Sequence, residues 1–356
     1  NRVVVVSYLP MISTAQWHWL NTVCCSGLEF YGALAFFLMD SDQMEKLSGR
    51  VGIDLGGTKI EAVMLDRTGA VRSRQRVATP RESYEATLQA IESLIERVER
   101  ESGLRGSIGL GIPGALSPTT GRVKNANSTA LIGHPLDQEL QQRLQRPVRI
   151  ANDANCFALS EAIDGAAAGA ATVFGVILGT GVGGGTVITR QVVVGANAIA
   201  GEWGHNPLPW PNPSECSGPV CYCGKRGCIE TFLSGPGLQM SYYQLTTQQI
   251  TAQEIALRAQ QGEQNANRIM AQYEERLARG LAGVINLLDP TVIVLGGGLS
   301  NIDRLYPQVK NLWGEYVFSD EVRTELVKAE YGDSSGVRGA AWLWSDEEIW
   351  GNQEGE

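Results

Sequence analysis

The chain is poor in histidine, with three in 356 residues, and it has neither an excess of positive charge nor a clean run of apolar residues long enough to span a bilayer. Each shortage excludes something. Asp and Glu number 38 against 29 Lys and Arg, for a formal net charge of −9, so the chain lacks the broad positive field that nonspecific nucleic-acid binding requires. The apolar stretch from Val23 to Met39 contains Glu29 and falls short of the roughly 18 to 25 clean residues that a membrane span needs. The opening segment has Arg2 alone as its basic region, which argues against a signal peptide. Seven cysteines is an odd number, with Cys24 and Cys25 adjacent and Cys156 isolated in an apolar run. This disfavours a disulfide framework and fits a reducing compartment in which thiols serve as metal ligands. The expected location is the cytoplasm, and neither nucleic acid nor membrane is expected among the partners.

What is present begins at about residue 48. Residues 1–47 differ in character from the rest, and Met44 opens "MEKLSGRVGIDLGG", so the segment before it reads as an N-terminal extension outside the functional protein. From Val51, "VGIDLGGTKIEAVMLD" reads as strand, Gly-Gly turn, strand. Both the Walker loop and the dinucleotide fingerprint need a helix directly after their glycines, and Ile60 to Leu65 has the branched, apolar character of a strand. The same design recurs in "VFGVILGTGVGGGTVI", Val173 to Ile188, which makes internal duplication the economical reading.

Between the copies, "SYEATLQAIESLIERVER" places Tyr84, Leu88, Ile91, Leu94, Ile95 and Val98 on one helical face, with Ser83 as its cap. "SIGLGIP" reads as a buried strand, "DQELQQRLQ" as a helix, "VRIAND" as a strand end and "ANCFALSEAIDGAAAGA" as a helix. Further on come a long helix from Asn265 to Leu288, a buried strand "TVIVLGGG" and a last helix "GVRGAAWLW". Two α/β lobes around a central cleft follow from this order. Turns without side chains let backbone N–H groups approach phosphate oxygens, although either turn alone could be a tight hairpin with no ligand.

Two further clusters could carry chemistry. Asp153, in "IANDANC", sits at a strand–helix junction, where capping is the ordinary role of an aspartate. His205, in "AGEWGH", precedes "CYCGKRGCIE" by 16 positions. Three thiolates and one imidazole would make a closed tetrahedral zinc site, but the spacing is not Cys-x-x-Cys and decides nothing alone. Cys216, in the loop between, is a competing ligand.

With these motifs in this order, together with "GIPG" and "VLGGG", the sequence resembles the ROK family of sugar kinases from about residue 49 to 346. The resemblance implies a duplicated actin-like ATPase (ribonuclease H-like) fold. It implies a small lobe over 48–150 completed by a C-terminal helix, 336–346, and a large lobe over 151–335 carrying the second phosphate hairpin, the zinc knuckle and a dimer surface. Asp54, Gly56, Gly57, Thr58 and Lys59, with Gly179, Thr180 and Gly181, look like the turns that bind the phosphates of ATP, and Gly296 and Gly297 would lie near the adenosine. Asp54 would serve Mg²⁺ and Asp153 would be the general base, weak if its pKa is unshifted.

Asn127, Asn152, Asp153, Glu202, His205 and Glu230 would line a hexose site. His205, Cys221, Cys223 and Cys228 would hold structural Zn²⁺, leaving the second imidazole nitrogen for a sugar hydroxyl. Tyr222 stands where the family commonly has glycine, with an expected effect on packing more than on ligation. Within the family, "KNANST", "AGEWGHNPLPW" and "CYCGKRGCIETF" are most similar to the fructokinase branch, which implies transfer to the 6-hydroxyl of D-fructose, with mannose or glucose as secondary substrates. The N-acetylglucosamine kinase branch, which shares "ANCFALSEA" and "LGTGVGGG", is the alternative. The family also implies a homodimer. A sugar-responsive repressor of the same family is disfavoured, because the segment before Val51 is short and poor in basic residues.

Overall fold

A computed structural model describes residues 47–81, 83–126 and 129–351. The expected extension, up to residue 46, and the candidate Asn127 lie outside the described residues. The first half contains β1 (Gly49–Leu55), β2 (Lys59–Asp66), β3 (Val71–Ala78), α1 (Tyr84–Ser102), β4 (Gly106–Ile112), the short pair β5 (Ala115–Leu116) and β6 (Val123–Lys124), α2 (Leu136–Leu144), β7 (Val148–Asn152) and α3 (Asp153–Ile163). The second half contains β8 (Thr172–Leu178), β9 (Val182–Ile188), β10 (Gln191–Val192), α4 (Ile229–Leu233), α5 (Gly235–Thr246), α6 (Ala252–Gln260), α7 (Gln264–Leu288), β11 (Val292–Gly296), α8 (Leu305–Leu312), β12 (Glu325–Lys328), α9 (Ser335–Ala341) and α10 (Asp346–Trp350).

The two halves repeat one topology. The first sheet has the order β3-β2-β1-β4-β7 and the second β10-β9-β8-β11-β12. In each, an antiparallel meander leads into two parallel neighbours. Glycines at the hairpins, apolar strands on both sides of them and intervening helices therefore produce the same sheet twice. Asp54, Asn152 and Gly296 lie at the C-terminal ends of β1, β7 and β11, and Gly179 directly follows β8, while Lys59 opens β2 across the first turn; strand C-terminal ends are where open α/β sheets receive ligands.

Local chemistry explains the element ends. On α1 the Ser83 hydroxyl accepts from Ala86 N–H, and Leu88, Ile91, Leu94, Ile95 and Val98 are buried as the periodicity predicts. Helix α7 stops where Asp289 turns left-handed, at φ 47°, ahead of Pro290, a residue that cannot continue a helix. The helix expected over residues 154–170 ends early, at Ile163. The buried Glu161 carboxylate causes this by folding back to accept from Ala166 N–H at 2.9 Å and Ser335 Oγ at 2.7 Å. A side chain at Gly165 would collide with it, since a Cβ there would lie 2.4 Å from Glu161 Oε2. Beyond the expected last helix, Ser345 and Glu348 form a capping box that starts α10, a signal readable in "SDEE".

Helix α9 seals the first sheet by close backbone approach. A Cβ at Gly52 would lie 2.0 Å from Val337 O, and one at Gly109 would lie 1.8 Å from Ala340 O. On its other side, a Cβ at Gly339 would lie 1.6 Å from Cys156 O of α3. Only glycine lets α9 wedge between the β1–β4 face and α3, so the strand carrying Asp54 and the helix opening with Asp153 are set against each other through one helix.

Candidate active site

The first glycine turn closes on itself. Gly56 N–H donates to Lys59 O at 3.0 Å, Thr79 Oγ1 donates to Gly56 O at 2.7 Å and Arg81 Nε donates to Gly57 O at 2.8 Å. Gly57 and Thr58 at its tip are exposed, while the Lys59 ammonium leans 3.9 Å from Glu61. Asp54 is half-buried just before the turn. Burial, then the nearby Asp153 carboxylate, then Glu61, push its carboxyl up to about 6. Carboxylates that oppose one another's ionisation in this way are the setting in which a divalent cation binds.

Asp153 is the first residue of α3, and the cap falls to its neighbour. Asn152 Oδ1 accepts from Ala154 N–H at 2.9 Å and its amide donates to Gly114 O at 3.1 Å. Both polar atoms of Asn152, expected on the sugar side, are thereby engaged with backbone. The Asp153 side chain is exposed, and its Oδ1 accepts from Ala154 N–H at 2.8 Å. Although water reaches this carboxylate, the protein crowded around it disfavours its charge, and Glu202 adds to that effect, so its pKa is raised. The condition for a weak base, an unshifted pKa, is not met, because poorer solvation makes the carboxylate a better proton acceptor.

The second glycine turn is supported from outside. Gly179 N–H donates to Gly181 O at 3.0 Å, while Gly179 O accepts from Gly235 N–H at 2.8 Å. Val182 N–H donates to Glu230 Oε2 at 2.9 Å, and a Cβ at Gly181 would lie 2.7 Å from that same oxygen. Glu230, expected to face sugar, thus has one carboxylate oxygen on the phosphate-type hairpin. Beyond Gly296, Gly297 turns to φ 79°, and a Cβ there would lie 2.5 Å from Leu178 O, so the third glycine cluster is pressed against β8. It opens on a cavity of about 500 Å³ lined by Gln253, Leu257, Gly298, Asn301 and Arg304 among others. Apart from Gly298 of "VLGGG", those residues carry no motif, and the fold alone collects them.

His205, Cys221, Cys223 and Cys228 converge, with ligand atoms all within 4.8 Å of one another. Zn–S bonds of about 2.3 Å and a Zn–N bond of about 2.0 to 2.1 Å in a tetrahedron put two sulfurs about 3.8 Å apart and sulfur about 3.6 Å from nitrogen. Cys223 Sγ lies 3.7 Å from Cys228 Sγ, and Cys221 Sγ lies 3.6 Å from His205 Nδ1. The four residues fit such an ion, and Cys216 stays outside the cluster, exposed. Backbone bridges between Pro207 and Cys228 and between Val220 and Arg226 hold the knuckle in register. The loop leading into it is anchored by Glu215, which is buried and bonded to Arg279 at 2.9 Å and Arg276 at 2.7 Å on α7.

The other imidazole nitrogen was expected to meet a sugar hydroxyl. That nitrogen, His205 Nε2, lies 3.0 Å from the Tyr222 hydroxyl. Tyr222 stands between two cysteines of the cluster, so the turn that closes the cluster also delivers the phenol to the ring. The sequence reading assigned Tyr222 to packing, and with 81% of its surface exposed it packs little.

Two α/β lobes of repeated topology with glycine hairpins at strand ends define the actin-like ATPase fold. The profile of the ROK family matches residues 50–347. The chain is 40% identical over 296 residues to an N-acetyl-D-glucosamine kinase of Yersinia pseudotuberculosis, covering 82% of this chain and 97% of that one. The solved structure of a ROK hexokinase from Thermus thermophilus superposes with a TM-score of 0.74 at 34% identity, covering 83% of this chain and 97% of the other. A ROK family glucokinase from Streptomyces griseus, solved with glucose and AMPPNP, gives a TM-score of 0.67 at 28% identity, covering 83% and 98%. The chain belongs to the ROK family and has its sugar kinase fold. Among the described residues no helix is long and apolar enough to cross a membrane.

Proposed function

We propose that the protein transfers the γ-phosphoryl group of ATP to the 6-hydroxyl of a hexose. The observation that carries this reading is one electrostatic neighbourhood. Burial is the main cause of the raised Asp54 and Asp153 carboxyls, and beyond it Asp153 acts on Asp54, Glu202 on Asp153, and Glu230 and Glu202 on Tyr222 beside His205. Those side chains come from both halves of the duplication and lie near enough to influence one another's ionisation. Phosphoryl transfer asks a protein chiefly to position the groups and to offset charge.

The glycine turns at Gly56–Lys59 and Gly179–Gly181 would bind phosphate oxygens through backbone N–H groups, and the cavity beside Gly298 would take the base. Asp54 would hold Mg²⁺, which when bound offsets charge on the transferring group. Asp153, with one oxygen not engaged by Ala154, would orient the attacking hydroxyl and accept its proton. Glu202, His205 and Glu230 would bind the remaining hydroxyls. Zn²⁺ on His205 and the three cysteines would be structural, since four protein ligands leave no open position.

N-acetyl-D-glucosamine is the hexose that the relatives support, through identities near 40% over almost their whole length. D-fructose is the second reading, favoured by the motifs "KNANST", "AGEWGHNPLPW" and "CYCGKRGCIETF". A coupled assay over N-acetylglucosamine, fructose, mannose and glucose, with identification of the phosphorylated position, separates the two. The expected outcome is 6-phosphorylation with N-acetylglucosamine preferred. Fructose turnover without N-acetylglucosamine turnover selects the second reading, and no ATP-dependent turnover of any hexose removes both. Asp153→Asn is expected to lower kcat by about 10²- to 10⁴-fold with the fold retained by circular dichroism. Near-normal turnover would take the base role from Asp153.

A further inference from the structure

Tyr222 is an aromatic residue with no apparent reason of stability to be where it is. Its side chain is 81% exposed, so burial contributes little. It makes an edge-on contact with the His205 ring, with centroids 5.1 Å apart and planes at 83°, and its hydroxyl sits 3.0 Å from Nε2. Cys221 and Cys223 on either side of it both belong to the ligand cluster, so its backbone is fixed and the phenol is the free part. The hydroxyl therefore occupies the place on Nε2 where the hexose reading puts a sugar hydroxyl.

With a metal on Nδ1, the neutral imidazole keeps its proton on Nε2, which donates to the Tyr222 oxygen. A sugar hydroxyl oxygen approaching Nε2 would accept that same proton. One N–H at this position serves one close acceptor well, so the two oxygens compete.

We propose that Tyr222 is a specificity-determining residue whose hydroxyl stands in for a substrate hydroxyl on His205 Nε2 and is displaced when the hexose binds. The inference rests on the hexose kinase reading and names a residue that sets its affinity. Displacement trades one hydrogen bond for another, and the released phenol returns to water. A hexose offering a hydroxyl at Nε2 replaces the lost bond. An analogue lacking that hydroxyl leaves Tyr222 in place and gains nothing from its removal.

The test compares wild type with Tyr222→Phe, which removes the competing oxygen and keeps the ring. Hexose affinity is measured by calorimetry without nucleotide, and KM and kcat by coupled assay. The net worth of one hydrogen bond corresponds to a change of about two- to tenfold. Tyr222→Phe is expected to lower the Kd and KM of the preferred hexose by that factor with kcat unchanged. Across a set of monodeoxy analogues the gain is expected to vanish for one position alone. Metal content equal to wild type verifies that the knuckle is intact.

A Kd that rises in Tyr222→Phe would mean that the hydroxyl contacts the sugar. An unchanged Kd, or a gain equal for every deoxy analogue, would mean that it does not compete; any of these three results overturns the proposal while leaving the kinase reading standing. If wild type binds and phosphorylates no hexose, the parent reading falls and this one with it.

Discussion

The two glycine hairpins share a topology and differ in how they are supported. The first is self-contained. Its turn is closed by Lys59 O, Thr79 and Arg81 from the same sheet region, and it brings its own carboxylate, Asp54. The second, Gly179-Thr180-Gly181, has no ionisable side chain and leans on Glu230, which follows the Cys/His cluster in the chain. Duplication thus supplied two equivalent frames. The charges were added locally in one half and through an inserted knuckle in the other. The first hairpin is expected to fail through chemistry, and the second through loss of support.

The largest effect expected from this contrast is at Asp54. Asp54→Asn leaves the first turn's backbone closure intact but removes the carboxylate assigned to Mg²⁺, and kcat is expected to fall about 100-fold or more. Stability should move in the opposite direction. The folded pKa, about 6, lies above the ordinary value of 3.8. The native state therefore loses stability as pH rises from about 4 through 6, and that loss is complete at neutral pH. Replacing the group removes a penalty of about 1 to 3 kcal/mol, so the melting temperature of the metal-free variant should rise at pH 7.5 and match wild type near pH 4. An active variant, or one whose melting temperature falls at neutral pH, breaks the assignment.

Next in size is the knuckle. Cys223→Ser removes one of four convergent ligands, and second-half support should fail as a unit. Bound zinc, measured by metal analysis, should be lost, and sugar KM should rise about tenfold or more. ATP KM should rise as well, because Glu230 lies two residues after Cys228. Asp54→Asn should leave metal content untouched, which makes the pair a direct comparison of the two halves. A wild-type protein that holds no zinc would leave the cluster without the role assigned to it.

Much of this arrangement could be read from the sequence, and the unread part has a physical pattern. The hairpins were legible because a strand, a glycine pair and another strand form a local code, and α1 because its apolar period and Ser83 cap agree. Strand β3 was missed because it alternates Arg72, Arg74 and Arg76 outward on a sheet edge, where charge protects against pairing. Arg76 meets the buried Glu61 at 2.6 Å, which only the cross-strand register brings about. The Cys/His cluster was legible in composition but not in orientation. No spacing announces that Tyr222 would take His205 Nε2 or that Glu230 would take Val182 N–H, since both bonds join segments that meet only after folding. Helix α3 ended early for the same reason, as Glu161 is claimed by Ser335, 174 residues away.

The smallest effect is the most discriminating. Glu230→Gln keeps the length and an acceptor oxygen, so Val182 N–H remains bonded and the second turn keeps its shape. What is lost is the charge in that bond, and a charge-assisted hydrogen bond exceeds a neutral one by about 1 kcal/mol. ATP KM is therefore expected to rise about fivefold, with metal content unchanged and kcat within about twofold of wild type. Sugar KM should rise by a comparable factor, because the other Glu230 oxygen would face the hexose. If sugar KM alone moves, the second hairpin does not depend on its carboxylate and is as self-sufficient as the first. If ATP KM alone moves, Glu230 belongs to the nucleotide side, and the hexose wall is left to Glu202 and His205.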